Sequence, residues 1–393
     1  MAKLSVSDLA VKGKRVLVRV DFNVPQDEKL EVRDDTRIRE ALVTINYLIK
    51  NGARVILVSH LGRPDGKVVE KMRMAPIAKK LQELLGKQVL TAKDCVGEEV
   101  NKIAAGMQDG DVLLLENVRF HAEEEENDPV FSKQLAALCD IYVNDAFGTA
   151  HRAHASTEGV AKFVKQAAAG FLIEKEIKYL GMVLENPARP ILAVIGGAKI
   201  SSKIDLLNNL ISKVDNLIIG GGMAYTFMKA QGKGIGKSLL EADKVDVAKE
   251  IFAKAKAKGV NIYLPVDHVI ASTKDNPTDV KIVTDIPDNM IAFDIGPKSI
   301  AEFEKVVKIS KTIFWNGPLG LFEVDAFAAG TIAIAKAIAN SGNVSVVGGG
   351  DSVSAIKKAG VKAKITHIST GGGASLEFVE GKELPGIAAL TDK

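Results

Sequence analysis

The chain has 393 residues, 47% hydrophobic and 26% charged, with a net charge of +3 and two cysteines. That length suits two globular domains; the small charge, with no run of about five basic residues, gives no reason to expect nucleic acid, and two cysteines exclude a disulfide framework. The opening MAKLSVSDLAVKGK lacks an apolar leader and no apolar run of about 18 residues occurs, so a soluble, cytoplasmic protein in a reducing compartment is expected.

Lys14 to Phe22, KRVLVRVDF, reads as a buried strand that ends in Asp21, Phe22 and Asn23. Thr36 to Lys50 has helical apolar spacing and stops at Asn51-Gly52. Arg37 and Arg39 lie in its first turn, where cations oppose the helix dipole, so at least one is expected to meet an anion; Arg39 is expected to face water. Arg54 to His60 is a second strand running into Leu61-Gly62-Arg63-Pro64, and Ala75 to Leu85 is a helix stopped by Gly86. Asp111 to Phe120 reads as a strand with Glu116, Asn117 and Arg119 near its end, and Glu123 to Glu126 as a solvated loop. A helix at Pro129 to Cys139 precedes a strand at Ile141 to Phe147, which leaves into Gly148-Thr149-Ala150-His151-Arg152-Ala153-His154.

Such alternation indicates a doubly wound α/β domain, whose ligands sit beyond the carboxyl ends of the strands. Asp21, Asn23, His60, Arg63, Arg119 and Arg152 should therefore gather on one edge. His151 and His154 are not read as a metal pair, because no third ligand has suitable spacing and Arg152 between them repels a cation.

All eleven arginines fall between Arg15 and Arg189. A guanidinium fork matches carboxylate and phosphate at two points and lysine is a point charge, so the first half suits a small oxyanion and the second suits phosphates held by lysine, backbone and metal. Phe171 to Glu185, an amphipathic helix closed by Asn186-Pro187, lies between the halves and is expected to act as a hinge.

Pro190 to Asp205, PILAVIGGAKISSKID, reads as a strand, a glycine turn and a helix on which Lys199 and Lys203 share a face near the N-terminus, a setting for a polyphosphate. It does not match the standard P-loop. Strands at Asn216–Ile219, Asn261–Val266, Ile291–Ile295, Thr312–Trp315, Val344–Val347 and His367–Thr370 are expected to continue the alternation, with helices at Met223–Ala230 and Ala242–Lys258. Four of these strands run into glycine clusters, which let backbone N–H groups approach a ligand. Asp351, after the triplet Gly348–Gly350, suits a phosphate-bound Mg²⁺, and N-capping is the competing role.

The ordered motifs VRVDFNVP, SHLGRP, ENVRF, NDAFGTAHRAHAS, GGAKISSKI, IIGGGMAYTF, WNGPLGLFE, GGGDS and STGGGASLE span nearly the whole chain and together closely resemble the phosphoglycerate kinase family. The resemblance implies two doubly wound parallel-sheet, Rossmann-like domains joined by a linker helix, with a cleft between them. It places an acid-substrate domain at 1–170, completed by the tail 375–393, the linker at 171–186 and a nucleotide domain at 187–374. The implied reaction is reversible phosphoryl transfer from 1,3-bisphosphoglycerate to ADP, giving 3-phosphoglycerate and ATP, by a monomer with Mg²⁺ and ATP or ADP.

Carried over by position, the acid contacts fall on Asp21, Phe22, Asn23, Arg37, His60, Leu61, Gly62, Arg63, Arg119 and Arg152. Arg37, Lys199, Lys203 and Gly371, Gly372 and Gly373 are implied to attend the phosphoryl group in flight. Nucleotide contacts fall on Lys203, Asn316, Glu323, Gly349, Gly350, Asp351 and Ser352, with Asp351 toward Mg²⁺. Ala292 departs from the glycine usual near the base, which leaves the adenine contacts open. A binding protein that only sequesters anions is the rival class; a dinucleotide oxidoreductase is disfavoured because Gly232 to Gly236 follows a helix, and a protein kinase because no HRD or VAIK motif accompanies Asp21-Phe22-Asn23.

Overall fold

The structure is a computed structural model that describes residues 3–393; Met1 and Ala2, which begin the first expected domain, lie outside them. Its internal contacts divide the chain into two compact units. One runs to Lys178 and takes in Glu383–Lys393; the other is Tyr179–Lys382.

In the first unit, β1 (Arg15–Arg19), β2 (Arg54–Val58), β3 (Leu90–Thr91), β4 (Val112–Leu114), β5 (Ile141–Asn144) and β6 (Ala167–Ala169) form one sheet in the order β3-β4-β2-β1-β5-β6. Every pairing in it is parallel. Parallel strands need crossovers, and helices supply them. Thr36–Lys50 buries Ile38, Ala41, Ile45 and Leu48 at helical spacing, in one core with Val16, Val18 and Val55. Each of the buried Ile, Leu and Val side chains contributes about 1.5–3 kcal/mol. Because the chain works outward from β1 on one side and resumes at β5 on the other, the order reverses between β1 and β5, the position at which open α/β sheets bind their ligands.

The expected strand Asp111–Phe120 is cut to β4, and Val118–Phe120 is a 3-10 turn capped by Asn117. Polar side chains cause this: Glu116 Oε1 accepts from the Met74 amide at 2.8 Å and Asn117 Nδ2 donates to the Leu61 carbonyl at 2.8 Å, so local bonds replace the ladder. Nor is Glu123–Glu126 wholly solvated, since Glu124 is completely buried.

In the second unit, β7 (Ile191–Ile195), β8 (Asn216–Ile219) and β9 (Asn261–Tyr263) are followed by β10 (His268–Ala271), β11 (Lys281–Val283) and β12 (Ile291–Ile295), then β13 (Thr312–Asn316), β14 (Val344–Gly348) and β15 (His367–Ile368). The parallel sheet has the order β15-β14-β13-β7-β8-β9, with its reversal between β7 and β13. Leu192, Val194, Ile218, Ile313, Trp315 and Val347 share its core.

Ile291–Ile295 does not belong to that alternation. It pairs antiparallel with β10 in a separate sheet, β11-β10-β12. A short apolar run declares a strand without declaring its neighbour.

Lys199 and Lys203 do not share an α-helical face: Ser201–Lys203 is a 3-10 turn and the α-helix begins at Ile204. Glu241 holds that turn, accepting from the Ser201 amide at 3.1 Å and its hydroxyl at 2.5 Å. The tail differs as well. Gly373–Val379 packs on the helix Ile204–Ile211, with Asn209 Nδ2 donating to the Val379 carbonyl at 2.6 Å, and the return to the first unit starts at Glu383 instead of Ser375.

Candidate active site

At the carboxyl edge of the first sheet, Arg37 folds back from the first turn of its helix. Its Nη1 meets the Asp21 carboxylate at 3.1 Å and donates to the Asn23 carbonyl at 2.8 Å. Asn23 Oδ1 in turn accepts from the Gly62 amide at 3.0 Å, so Asp21, Asn23, Arg37 and Gly62 form one continuous constellation. Arg39 instead pairs with Asp35 one turn earlier, at 2.8 Å, so both first-turn cations find carboxylates within the chain.

His60 lies at the end of β2, buried and 3.1 Å through Nδ1 from Arg19 Nη2. Burial, followed by the charges of Arg19, Arg119, Arg152 and Arg37, holds its pKa well below the usual imidazole range. The ring is therefore neutral at physiological pH. Arg119 is almost fully buried; it donates to the Gly62 carbonyl at 2.9 Å and pairs with Glu125 at 3.1 Å, while its Nε has no partner among the described residues. A buried guanidinium N–H left without an acceptor invites an anionic ligand. Arg152 is half-buried, and Arg63 is exposed on the turn that Gly62 makes at φ +66°.

Two residues in this group are placed differently. Phe22 and Leu61 are core side chains, and their amides are already spent on Ser59 Oγ at 2.9 Å and Asn117 Oδ1 at 3.1 Å. They shape the edge without offering it a donor. Arg19 and Ser156 carry no expectation from the sequence, Asn117 is read there only as a polar group near a strand end, and Glu124 only as part of a solvated acidic run. An arginine in the middle of the apolar run VLVRV was the available signal, since a buried charge needs a partner.

In the second unit the edge at the β7–β13 reversal is built from backbone. The Gly196 amide donates to the Asn316 carbonyl at 2.9 Å and the Gly197 amide to the Pro318 carbonyl at 3.0 Å. A Cβ on Gly317, whose φ is +92°, would lie 2.2 Å from the Gly196 oxygen, so only glycine lets these loops meet. Asn316 bridges the region: its Oδ1 accepts from Lys203 Nζ and its Nδ2 donates to the Gly348 carbonyl at 2.7 Å. Burial lowers the Lys203 pKa, and the carboxylates of Glu380 and Asp351 oppose that shift.

Beside this edge a cavity of about 510 Å³ is lined by Gly197, Gly221, Ala292, Phe293, Leu321, Glu323 and Asp351 among others. Glu323 and Asp351 are exposed. Asp351 lies in the first turn of Gly350–Ala359 and makes no cap; Gly349 occupies that place. Ser352 is buried and accepts from the Gly317 amide at 2.6 Å, so it braces the loop. Lys199 is exposed. In the Gly371–Gly373 loop the Gly371 amide is taken by Ser369 Oγ at 3.1 Å, and Gly372 turns the chain with φ +52°.

Asp351 fits a magnesium ion carried by a nucleotide: its exposed carboxylate, on the lining of the cavity, is a hard oxygen donor of the sort Mg²⁺ takes once or twice. Asp94, Cys95 and His121 also draw metal-type donor atoms together. There His121 Nε2 and Asp94 Oδ1 satisfy each other at 2.7 Å and burial pushes the Cys95 thiol up, so the group is a histidine–carboxylate hydrogen bond over a buried thiol.

Two parallel sheets, each with an anion-receptive edge at its reversal point, define an α/β enzyme that handles phosphorylated ligands. The profile of the phosphoglycerate kinase family matches residues 6–382. Phosphoglycerate kinases of Pelotomaculum thermopropionicum and Koribacter versatilis are 58% and 57% identical, each over 100% of both chains. The structure of phosphoglycerate kinase from Coxiella burnetii superposes with a TM-score of 0.92 at 44% identity, and that from Pyrococcus horikoshii with 0.84 at 33%, each covering 98% of both chains. The chain belongs to the phosphoglycerate kinase family, transferases of glycolysis. Among the described residues no helix is long and apolar enough to cross a membrane.

Proposed function

We propose that the chain moves a phosphoryl group reversibly between the acyl phosphate of 1,3-bisphosphoglycerate and ADP, giving 3-phosphoglycerate and ATP. The observation that carries this reading is the guanidinium cluster around a neutral histidine, because Arg37, Arg119 and Arg152 with His60 offer forks and a neutral donor to a small acid bearing carboxylate and phosphate.

In this reading Asp21, Asn23, His60, Arg63, Arg119 and Arg152 bind the acid, and Arg37 turns its guanidinium to the group in flight. Lys203, Asn316, Glu323, Gly349 and Gly350 hold the nucleotide, with Ser352 bracing the loop; Lys199 and the amides of Gly372 and Gly373 attend the transferred phosphoryl. Asp351 holds the Mg²⁺ that travels with the nucleotide; when bound, that ion neutralises charge on the phosphate oxygens. An acyl phosphate has a good leaving group, so no general base is required. The side chains position donor and acceptor in line and surround the equatorial oxygens with positive charge. Orientation of this kind supplies about 7–11 kcal/mol.

The acid loads on the first unit and the nucleotide on the second, and a hinge at the connecting helix brings both ligands together and excludes water. The enzyme acts in the cytoplasm as a monomer. Purified protein given 3-phosphoglycerate and Mg·ATP, with glyceraldehyde-phosphate dehydrogenase and NADH to consume the product, should oxidise NADH in proportion to enzyme. Binding of both ligands without turnover would leave only an anion-sequestering protein.

A further inference from the structure

Behind His60 runs a buried chain of polar groups to which the reaction assigns nothing. Glu124 Oε1 accepts from the Ser156 hydroxyl at 2.6 Å and Oε2 from the Ser156 amide at 2.8 Å. Arg19 Nε donates to Ser156 Oγ at 2.8 Å, Nη1 donates to the Val20 carbonyl, and Nη2 lies 3.1 Å from His60 Nδ1. Glu124 and Ser156 are 0% exposed, Arg19 1% and His60 3%, so bulk water does not complete any of these bonds.

The direction of each bond follows from the donor inventory. A guanidinium has five N–H groups and no acceptor. Ser156 Oγ must accept from Arg19 and therefore sends its own proton to Glu124. His60 Nδ1 must likewise accept, so the single ring proton sits on Nε2; an imidazolium would set N–H against N–H. Burial raises the Glu124 pKa, and the charge of Arg19 followed by the two Ser156 bonds opposes that rise, so Glu124 and Arg19 compensate each other's charge at a depth where an unpaired charge is costly.

We propose that Glu124 is a positioning residue of the acid half-site: acting through Ser156 and Arg19, it holds His60 as the neutral tautomer protonated at Nε2, with one N–H donor aimed at the acid. This rests on the reading of His60 as an acid contact. The carboxylate is essential because it offers two acceptors to the two donors of Ser156. In Glu124→Gln one oxygen becomes an NH₂; in either amide orientation one donor of Ser156 faces another donor. The hydroxyl loses its acceptor and must turn, Oγ is then shared between Arg19 and the new NH₂, and the Nδ1 contact loosens as Arg19 shifts.

The test compares the full-length protein with Glu124→Gln and Ser156→Ala. Long-range nitrogen–proton NMR on isotope-labelled protein should show a single Nε2–H tautomer for His60 in the parent and a mixture in both variants. The KM for 3-phosphoglycerate should rise about tenfold, with kcat within about twofold and the KM for ATP unchanged. If Glu124 acted only through its charge, removing a negative group beneath an anion site would lower the KM for the acid, and that result overturns the proposal. So does a single Nε2–H tautomer surviving in both variants, or equal losses for acid and ATP that track a fall in melting temperature. A scrambled tautomer with unchanged KM for the acid overturns the placement of His60 against the acid itself.

Discussion

Replacing Arg37 with alanine probes the transfer step most sharply. Its Nη1 is fixed by Asp21 at 3.1 Å and by the Asn23 carbonyl at 2.8 Å, while the side chain keeps 38% exposure, so an anchored fork still reaches a ligand. The proposal gives this fork the charge that develops on the phosphoryl oxygens, the part played elsewhere by an arginine finger worth about 10³–10⁵ in rate. At about 1.4 kcal/mol per decade that is about 4–7 kcal/mol of transition-state stabilisation. Arg37→Lys keeps the charge and loses the fork, and should fall about a hundredfold. Asp21→Asn removes the charge of the anchor as well as an acid contact; with the acid saturating, kcat reads the anchor alone, a partly exposed pair worth about 1 kcal/mol, and should fall about fivefold. The assay is steady-state kcat with saturating 3-phosphoglycerate and Mg·ATP, with melting temperature as the check on folding. An Arg37→Ala enzyme that keeps more than about one tenth of parental kcat would refute the role, because an interaction made in the transition state cannot be lost so cheaply.

Gly317→Ala forces a Cβ to within 2.2 Å of the Gly196 oxygen at φ +92°, so urea denaturation should show a loss of about 2–4 kcal/mol. Gly342→Ala, at φ +71° with nothing within 4 Å, should cost only about 1 kcal/mol, and equal losses would remove the steric account. His154 has its folded pKa lowered to about 4 by burial and by Arg119, Arg19 and Arg152, against about 6.5 unfolded. The unfolded chain then binds the extra proton between those values, so the parent should lose about 2 kcal/mol more than His154→Gln as pH falls from about 7 to about 4.5; parallel stability curves would contradict this. Asp351→Asn should raise the Mg²⁺ concentration for half-maximal rate about tenfold with little change in the KM for 3-phosphoglycerate. An unchanged Mg²⁺ dependence would remove Asp351 from the metal site.

Much of this was legible in the chain because local signals and tertiary demands coincide. Thr36–Lys50, Ala75–Leu85 and Phe171–Glu185 have strong helical periodicity and clear stops at Asn51-Gly52, Gly86 and Asn186-Pro187, and the helices end there. Ile191–Ile195 is likewise bounded by Pro190 and Gly196. Asp21, Asn23, His60 and Arg119 could be placed on one edge because each lies at or just past the end of an expected strand, whereas Arg37 is announced only as a first-turn cation in need of an anion.

What failed depended on long-range partners. Glu116 and Asn117 end β4 early by bonding to segments 42 and 56 residues away. Ile291–Ile295 pairs with β10 and not with the parallel sheet, a choice that no periodicity encodes. Glu241 draws Ser201–Lys203 out of α-helical geometry. Glu124 sits in an acidic run that reads as solvated, and only the approach of Arg19 and Ser156 explains its burial.

The central claim is a single direct displacement between acid and nucleotide, with the side chains acting as positioners and never as phosphoryl carriers. The most direct measurement is the stereochemical course with ATP whose terminal phosphoryl group is made chiral by oxygen isotopes. One in-line transfer predicts inversion at phosphorus in the 1,3-bisphosphoglycerate formed. Retention, the mark of two successive displacements through a phosphorylated residue, would contradict the account.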